Sequence, residues 1–172
     1  MKKTVSTQTR SLGLTLALVS AFVAFAAFAA SPASAATWGG IEPLKSRRAD
    51  VERALGKPIE DKPGRTGTLK FKVAGGLVAV VFVDARFVTA HKLAADLEGT
   101  VRQVVLQHDS STETPDSMNL PKNGSFEREN RGQVTVFRNP REGLGYTFID
   151  GRLRTSYYTA AAAQLARSQT KG

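Results

Sequence analysis

Residues 143–158 read Gly-Leu-Gly-Tyr-Thr-Phe-Ile-Asp-Gly-Arg-Leu-Arg-Thr-Ser-Tyr-Tyr, and this stretch predicts a β-hairpin. Asp150-Gly151 is typical of a two-residue type I′ turn, because both central residues of that turn need a positive φ angle. Apolar and polar side chains alternate on both sides of the turn, so one face of the hairpin is expected to be buried. The register pairs Phe148 with Leu153, Tyr146 with Thr155 and Leu144 with Tyr157 on the apolar face, and Thr147 with Arg154 and Gly145 with Ser156 on the polar face.

Further strands and a helix are predicted on either side of this hairpin. Gln133 to Arg138 contains Val134, Val136 and Phe137 and indicates a strand. The connection to the hairpin is short, and short connections favour an antiparallel meander. Thr159 to Arg167 is rich in Ala, the best helix former, and predicts a C-terminal helix.

A second hairpin is predicted at Leu69 to Phe82, with Gly75-Gly76 as its turn. This turn pairs Val73 with Val78, Phe71 with Val80 and Leu69 with Phe82 on a buried face, and Lys72 with Ala79 and Lys70 with Val81 on a mixed face. Val101 to Gln107 follows as a half-buried strand. Residues 85–99 are not assigned, and within them Ala90 to Leu97 fits either a helical turn or an irregular excursion.

A short helix is predicted from Arg47 to Leu55, with Ser46 as its N-cap. Gly56 ends the helix because glycine accepts a left-handed conformation, and Pro58 prevents it from resuming. The apolar segment 38–44 precedes the helix and is expected to pack on the domain. Trp38 is expected to fill the core beneath the helix, with a role as partner anchor as the alternative.

These elements predict an α+β fold with one or two antiparallel sheets, a short helix on the first half and a helix after the last hairpin. Residues 36–108 form the first half and residues 120–172 form the meander and the C-terminal helix. Between them, residues 109–119 are rich in Ser, Thr and Asp and form a linker or loop. Whether the two halves are similar units stays open, because no residue-level repeat relates them.

The stretch Asp50-Val51-Glu52-Arg53-Ala54-Leu55-Gly56-Lys57-Pro58, followed by a hairpin, resembles the small outer-membrane assembly lipoproteins of the SmpA/OmlA type. The β-lactamase inhibitory proteins are similar and carry two such units. The run from Trp38 to Pro58, together with the aromatic C-terminal hairpin, also resembles small exported bacterial proteins of unknown function. The resemblance implies an interaction fold without catalytic residues. The lipoproteins' acylated Cys is missing, so their membrane tethering does not transfer.

The N-terminus is predicted to be a secretory signal over residues 1–35. Three cations, Lys2, Lys3 and Arg10, precede an apolar run from Leu12 to Ala30, and Ala33-Ser34-Ala35 offers the small residues that a signal peptidase needs. Cleavage after Ala35 on the general secretory route leaves 137 of the 172 residues. A permanent membrane anchor is the alternative, because the apolar run is long enough to cross a bilayer. The protein is expected to be periplasmic or secreted, without an anchor after cleavage.

Composition excludes several kinds of chemistry. The absence of Cys excludes disulfides, thiolate metal sites and a Cys nucleophile. His91 and His108 lie in different segments without metal-ligand spacing, and His108-Asp109-Ser110 cannot form a triad because neighbours on a strand point to opposite faces. No cofactor or metal is expected. Glu127, Glu129 and Asp109 are the carboxylates available to a hydrolase, although 127–131 is most simply a solvated strand end or turn.

Positive charge is the property that points to a function. The net charge of +9 becomes +6 once the three cations of the signal are removed, and a basic surface speeds encounters with acidic partners. We expect a non-enzymatic binding protein, an inhibitor or assembly factor, that presents a sheet face to a protein or an anionic envelope polymer; export argues against nucleic acid. Alternatives are an envelope hydrolase and a small-ligand carrier. The candidate partner-binding residues are Lys70, Lys72, Arg138, Tyr146, Arg152, Arg154 and Tyr157.

Overall fold

The computed structural model describes residues 35–62 and 67–170, and the side chain of Lys62 lies outside this description. The predicted signal over residues 1–35 lies outside the described residues except for Ala35. The helices are α1 (Arg48–Leu55), α2 (Ala85–His91) and α3 (Ala162–Arg167), with a 3-10 turn at Ala95–Leu97. The strands are β1 (Glu60–Lys62), β2 (Thr68–Val73), β3 (Gly76–Phe82), β4 (Val101–His108), β5 (Glu127–Arg131), β6 (Val134–Asn139), β7 (Leu144–Ile149) and β8 (Arg152–Thr159).

All eight strands form one antiparallel sheet in the order β1-β2-β3-β4-β8-β7-β6-β5. The predicted α+β class, with an N-terminal and a C-terminal helix, is confirmed. The two segments on either side of residues 109–126 meet where β4 pairs with β8, with Val105 opposite Tyr157. A single continuous sheet therefore spans both segments.

The first hairpin has the predicted buried face but a different register. Its turn is Ala74-Gly75, and Gly76 begins β3, so that Phe71 pairs with Val78 and not with Val80. The register moves by two residues and leaves each side chain on its predicted face. The cause is the close approach of β4 to Gly76: a Cβ there would lie 1.9 Å from the carbonyl oxygen of Gln107. Gly76 is therefore needed within the strand and is not available to the turn.

The second hairpin follows the predicted register only next to its turn. Asp150 and Gly151 both have positive φ, 51° and 72°, and Phe148 pairs with Leu153 as predicted. A β-bulge then leaves Arg154 without a pairing residue, and beyond it the register differs by one. The predicted pairs beyond the bulge are wrong; the observed pairs are Thr147–Thr155, Tyr146–Ser156, Gly145–Tyr157 and Leu144–Tyr158. A bulge of this kind turns the following side chains to the opposite face.

One face of the sheet, which we call the covered face, carries the hydrophobic core. On β2, β3 and β4 it is covered by α1 and the segment before it, where Val51 and Ile41 are fully buried and Trp38 is partly buried against the same cluster. On β6, β7 and β8 it is covered by residues 109–126, whose Leu120 packs on Phe137 and Phe148. Burying each of these phenylalanines contributes about 1.5–3 kcal/mol. Residues 109–126 contain no helix or strand, yet they pack on the sheet.

The helices differ from the prediction at their ends. Helix α1 begins at Arg48, and Ser46 does not cap it, because the Ser46 hydroxyl accepts a hydrogen bond from the Glu42 N–H at 2.9 Å. Gly56 ends α1 with a φ of 80°, as predicted. Helix α3 is shorter than predicted because Thr159 belongs to β8 and pairs with Gln103. No helix within the described ranges combines the length and apolar content needed to cross a bilayer.

Helix α2 and the 3-10 turn occupy the unassigned residues 85–99. Asp84 caps α2, since its carboxylate accepts from the Phe87 N–H at 2.7 Å. Phe87 and Val88 pack with Leu165 of α3 against a small cluster beyond the strand ends, formed by Leu44, Val83 and Leu93. Helices α2 and α3 therefore lie at one end of the sheet.

Candidate functional site

The face opposite the core, which we call the open face, is the candidate site. Its residues belong to none of the hydrophobic clusters found among the described residues. Cross-strand pairing aligns one row of residues on this face across six neighbouring strands, in the order β2, β3, β4, β8, β7 and β6. The row consists of Lys70, Ala79, Val105, Tyr157, Gly145 and Arg138. A sheet with one face packed and one face solvated is common among antiparallel folds, and the solvated face is free to bind.

A groove of about 550 Å³ runs over β8, β7 and β6 on the open face. Gly145 lies on its floor between Tyr157 and Arg138 in the row, and a Cβ there would meet the Tyr157 ring at 3.5 Å. The groove therefore exists partly because this position has no side chain. The residues that line it are Gln103, Val136, Arg138, Pro140, Leu144, Gly145, Thr147, Tyr157 and Thr159.

A second depression of about 310 Å³ adjoins the groove and shares Gln103 and Thr159 with it. Helices α2 and α3 contribute its walls, through Phe87 and His91 on one and Leu165 on the other. The Phe87 ring contacts two side chains: the Arg102 guanidinium is 4.5 Å from its centroid, and the centroid of the His91 ring is 4.2 Å from it. Stacking of this kind holds the guanidinium in place by cation–π attraction.

Neither depression has an acidic side chain in its lining. Arg138 donates to the Glu129 carboxylate at 2.7 Å, and Arg131 donates to the same carboxylate. Both hydrogen bonds lower the pKa of Glu129, and the one from Arg138 has the larger effect. Two cations therefore share one carboxylate beside the groove, and Arg102 has no acidic partner among the described residues. The groove and the adjoining depression present a net positive surface.

The structure brings together four of the seven candidate partner-binding residues on adjoining rows of the open face. Lys70, Arg138 and Tyr157 lie in the row described above, and Lys72 lies in the next. Lys70 is paired with Glu60 at 2.8 Å, and Lys72 approaches Asp109 at 3.9 Å. Arg138 and Tyr157 line the groove. Tyr157 lies on the open face because of the bulge, since the predicted register placed it on the buried side.

The other three candidates lie elsewhere. Tyr146 packs on the covered face with its ring 5.8 Å from that of Phe126, and burial raises its pKa. Arg152 donates to the Thr112 carbonyl at 2.6 Å and so holds the start of the loop 109–126 against β8. Arg154 is the exposed, unpaired residue of the bulge. The structure does not bring these three together with the groove.

Sequence reasoning missed Gln103, which lines both depressions, and Arg102 and Phe87, which line the second one. Arg102 and Gln103 lie on β4, whereas Phe87 lies on α2, whose local signal is a capping residue, Asp84, before a short helical turn. That signal identifies a helix but does not place Phe87 beside Arg102, which is fifteen residues further along the chain.

None of the candidates for catalysis lines the groove. His108 Nε2 lies 2.9 Å from the Ser156 hydroxyl on the covered face, and burial lowers the pKa of His108. Ser156 is only 4% exposed, whereas His108 is half-buried, so this hydrogen bond gives the buried hydroxyl a partner. Glu127 and Glu129 lie on the edge strand β5, and Asp109 faces Lys72. Within the described ranges, no three His, Cys, Asp or Glu side chains form a group that could hold a metal ion.

Comparison with known proteins gives one distant structural neighbour. No protein-family model and no curated protein matches the sequence. Among solved structures, the chain is similar to a DUF4309 family protein (YjgB) from Bacillus subtilis subsp. subtilis strain 168, with 13% sequence identity and a TM-score of 0.47. The similarity covers 70% of this chain and 82% of that one. The resemblance to the assembly lipoproteins and the β-lactamase inhibitory proteins stays a prediction.

Proposed function

We propose that this protein is exported and binds another macromolecule through its open face, without catalysing a reaction. The observation that carries the proposal is the groove: an uncovered sheet face with an aromatic ring, amide and hydroxyl groups and the basic side chain of Arg138, and no acid in its lining. An extended face of this kind suits a large partner because it offers shape and positive charge across several strands. The His108–Ser156 pair lies on the covered face, away from the groove.

Export is the second part of the proposal. The Ala36 N–H donates to the Glu142 carbonyl at 2.9 Å, so the chain that cleavage after Ala35 would leave begins with a residue bonded to the domain. After cleavage its ammonium group would keep that hydrogen bond. We expect protein recovered from outside the cytosol to begin at Ala36, as read by intact mass. Replacing Ala33 and Ala35 with Leu should leave the longer, uncleaved chain, since signal peptidase needs small residues at both positions. Recovery of the full-length native chain from that compartment would contradict export with cleavage.

Binding through the open face is tested by filling the groove. Thr147 lines it from the middle of β7, and Thr147→Trp should reduce the amount of exported protein retained by envelope material of the producing cell at least tenfold. The expected cause is exclusion of the partner by the indole. The measurement is the bound fraction after sedimentation, with folding checked by thermal unfolding.

Ser125→Trp is the matched control. Ser125 is exposed in the loop that covers the other face, so this variant adds the same indole away from the groove and should bind like the native protein. Equal retention of all three proteins, or equal loss in both variants, would remove the open face from the proposal.

A further inference from the structure

We infer that the groove and its adjoining depression take a segment of an anionic polysaccharide. The inference rests on the proposed function and names its partner class. Its first support is charge: Arg138 and Arg102 lie at the two depressions, and no carboxylate lines either of them. Two acids of the neighbouring strand β5 lie outside this lining: Glu129 is shared by Arg138 and Arg131, and Glu127 is the cross-strand partner of Arg138. A ligand with negative charges spaced along a chain complements this arrangement.

The second support is the position of the groove within the sheet. It lies over β8, β7 and β6, which all have neighbouring strands on both sides, so their backbone N–H and C=O groups are already paired. A peptide that binds by adding a strand needs an unpaired sheet edge. The groove offers side chains only, which favours a ligand recognised through ring faces and hydroxyl groups and not through its own backbone.

The third support is the chemistry of those side chains. Tyr157 presents a partly exposed ring beside Gly145, and the apolar faces of sugar rings pack on such rings. Gln103 and Thr159, which both depressions share, supply an amide and a hydroxyl that pair with sugar hydroxyls. The two joined depressions provide room for more than one sugar unit.

The test uses tetragalacturonate, a linear oligomer of a uronic acid, with the exported native protein in titration calorimetry. We expect saturable binding that weakens at least tenfold when the carboxylates are methyl-esterified, because the sugar is retained and the charge is lost. Tyr157→Leu removes the ring and should weaken binding at least tenfold, a loss of about 1.4 kcal/mol or more. Tyr157→Phe keeps the ring, so its affinity should stay within about threefold of that of the native protein.

Two cation variants separate local charge from net charge. Arg102→Gln removes a guanidinium from the depression and should weaken binding, whereas Lys57→Gln removes one exposed charge after α1 and should not. Equal effects of the two variants would mean that only net charge attracts the oligomer and would overturn the inference.

The outcomes also separate this inference from the proposed function. If tetragalacturonate does not bind while Thr147→Trp still abolishes retention by envelope material, the partner class is wrong and the open face stands. Binding of hexaglutamate at equal strength would assign the groove to acidic peptides and would overturn the inference in the same way. If Thr147→Trp also has no effect on retention, both proposals fall together.

Discussion

Replacing Gly143 with Ala should cost about 3 kcal/mol or more of the free energy of unfolding, a loss at the high end for a single substitution. Gly143 has a φ of 73°, and a Cβ there would lie 2.1 Å from the carbonyl oxygen of Thr159. The left-handed conformation alone costs a non-glycine residue about 1–2 kcal/mol. The overlap adds to this, because the obstacle is backbone and can be relieved only if β7 and β8 separate.

Gly151→Ala is the control for this substitution. Gly151 has nearly the same φ, 72°, but open space where its Cβ would be. The two variants therefore share the cost of the left-handed conformation and differ in the overlap. We expect urea denaturation to show at least twice the loss for Gly143→Ala, and equal losses would mean that Thr159 does not approach Gly143 as described. Because Thr159 also lines the groove, Gly143→Ala should weaken partner binding too.

Phe137→Ala should lower the free energy of unfolding by about 3–5 kcal/mol, the usual range for removing a buried Phe ring. Phe137 is 1% exposed and meets Phe148 edge to face, with ring centroids 5.8 Å apart. Trp38, the single Trp of the chain, is partly buried and packs against the other large cluster. Since β4 and β8 join the two segments into one sheet, we expect Trp38 fluorescence to report this loss although Phe137 lies in the second cluster.

The comparison that decides cooperativity is Phe71→Ala, which removes an equally buried ring from the cluster of Trp38. If the whole sheet unfolds as one cooperative unit, each variant shifts the unfolding transition by the same amount whether it is followed by Trp38 fluorescence or by far-ultraviolet circular dichroism. Ile149→Ala is the surface control, since Ile149 is 38% exposed, and it should change stability by less than about 0.5 kcal/mol. If Phe137→Ala leaves the Trp38 transition unchanged, the two segments unfold as separate units.

Local sequence patterns predict most of the strands and helices and, for most strands, which face is buried. Alternation with a period of two identified β2, β3, β4, β6, β7 and β8, and Gly56 and Asp150-Gly151 marked a helix end and a turn through conformations that few residues adopt. The edge strands β1 and β5 are short and charged, so alternation does not identify β1 and indicates only a strand end or turn at 127–131. Such strands acquire their conformation from pairing and not from their own side chains.

The candidate site was predicted in part. Lys70, Lys72 and Arg138 lie on the open face as basic strand residues, a placement that alternation alone supports. Tyr157 lies there only because a bulge at Arg154 reverses the alternation. Whether a strand bulges depends on the length and twist of its neighbours, and these belong to residues far away in the sequence.

The amino-acid sequence alone determined most of the strands, the turn at Asp150-Gly151 and the end of α1 at Gly56, because those signals come from the φ preferences and apolar spacing of residues close together in the chain. The tertiary structure decided that β4 pairs with β8, that Gly76 belongs to a strand and not to a turn, and that Arg102, Phe87 and Tyr157 border one surface. Each of these depends on contacts between residues distant in sequence, whose geometry no local pattern records.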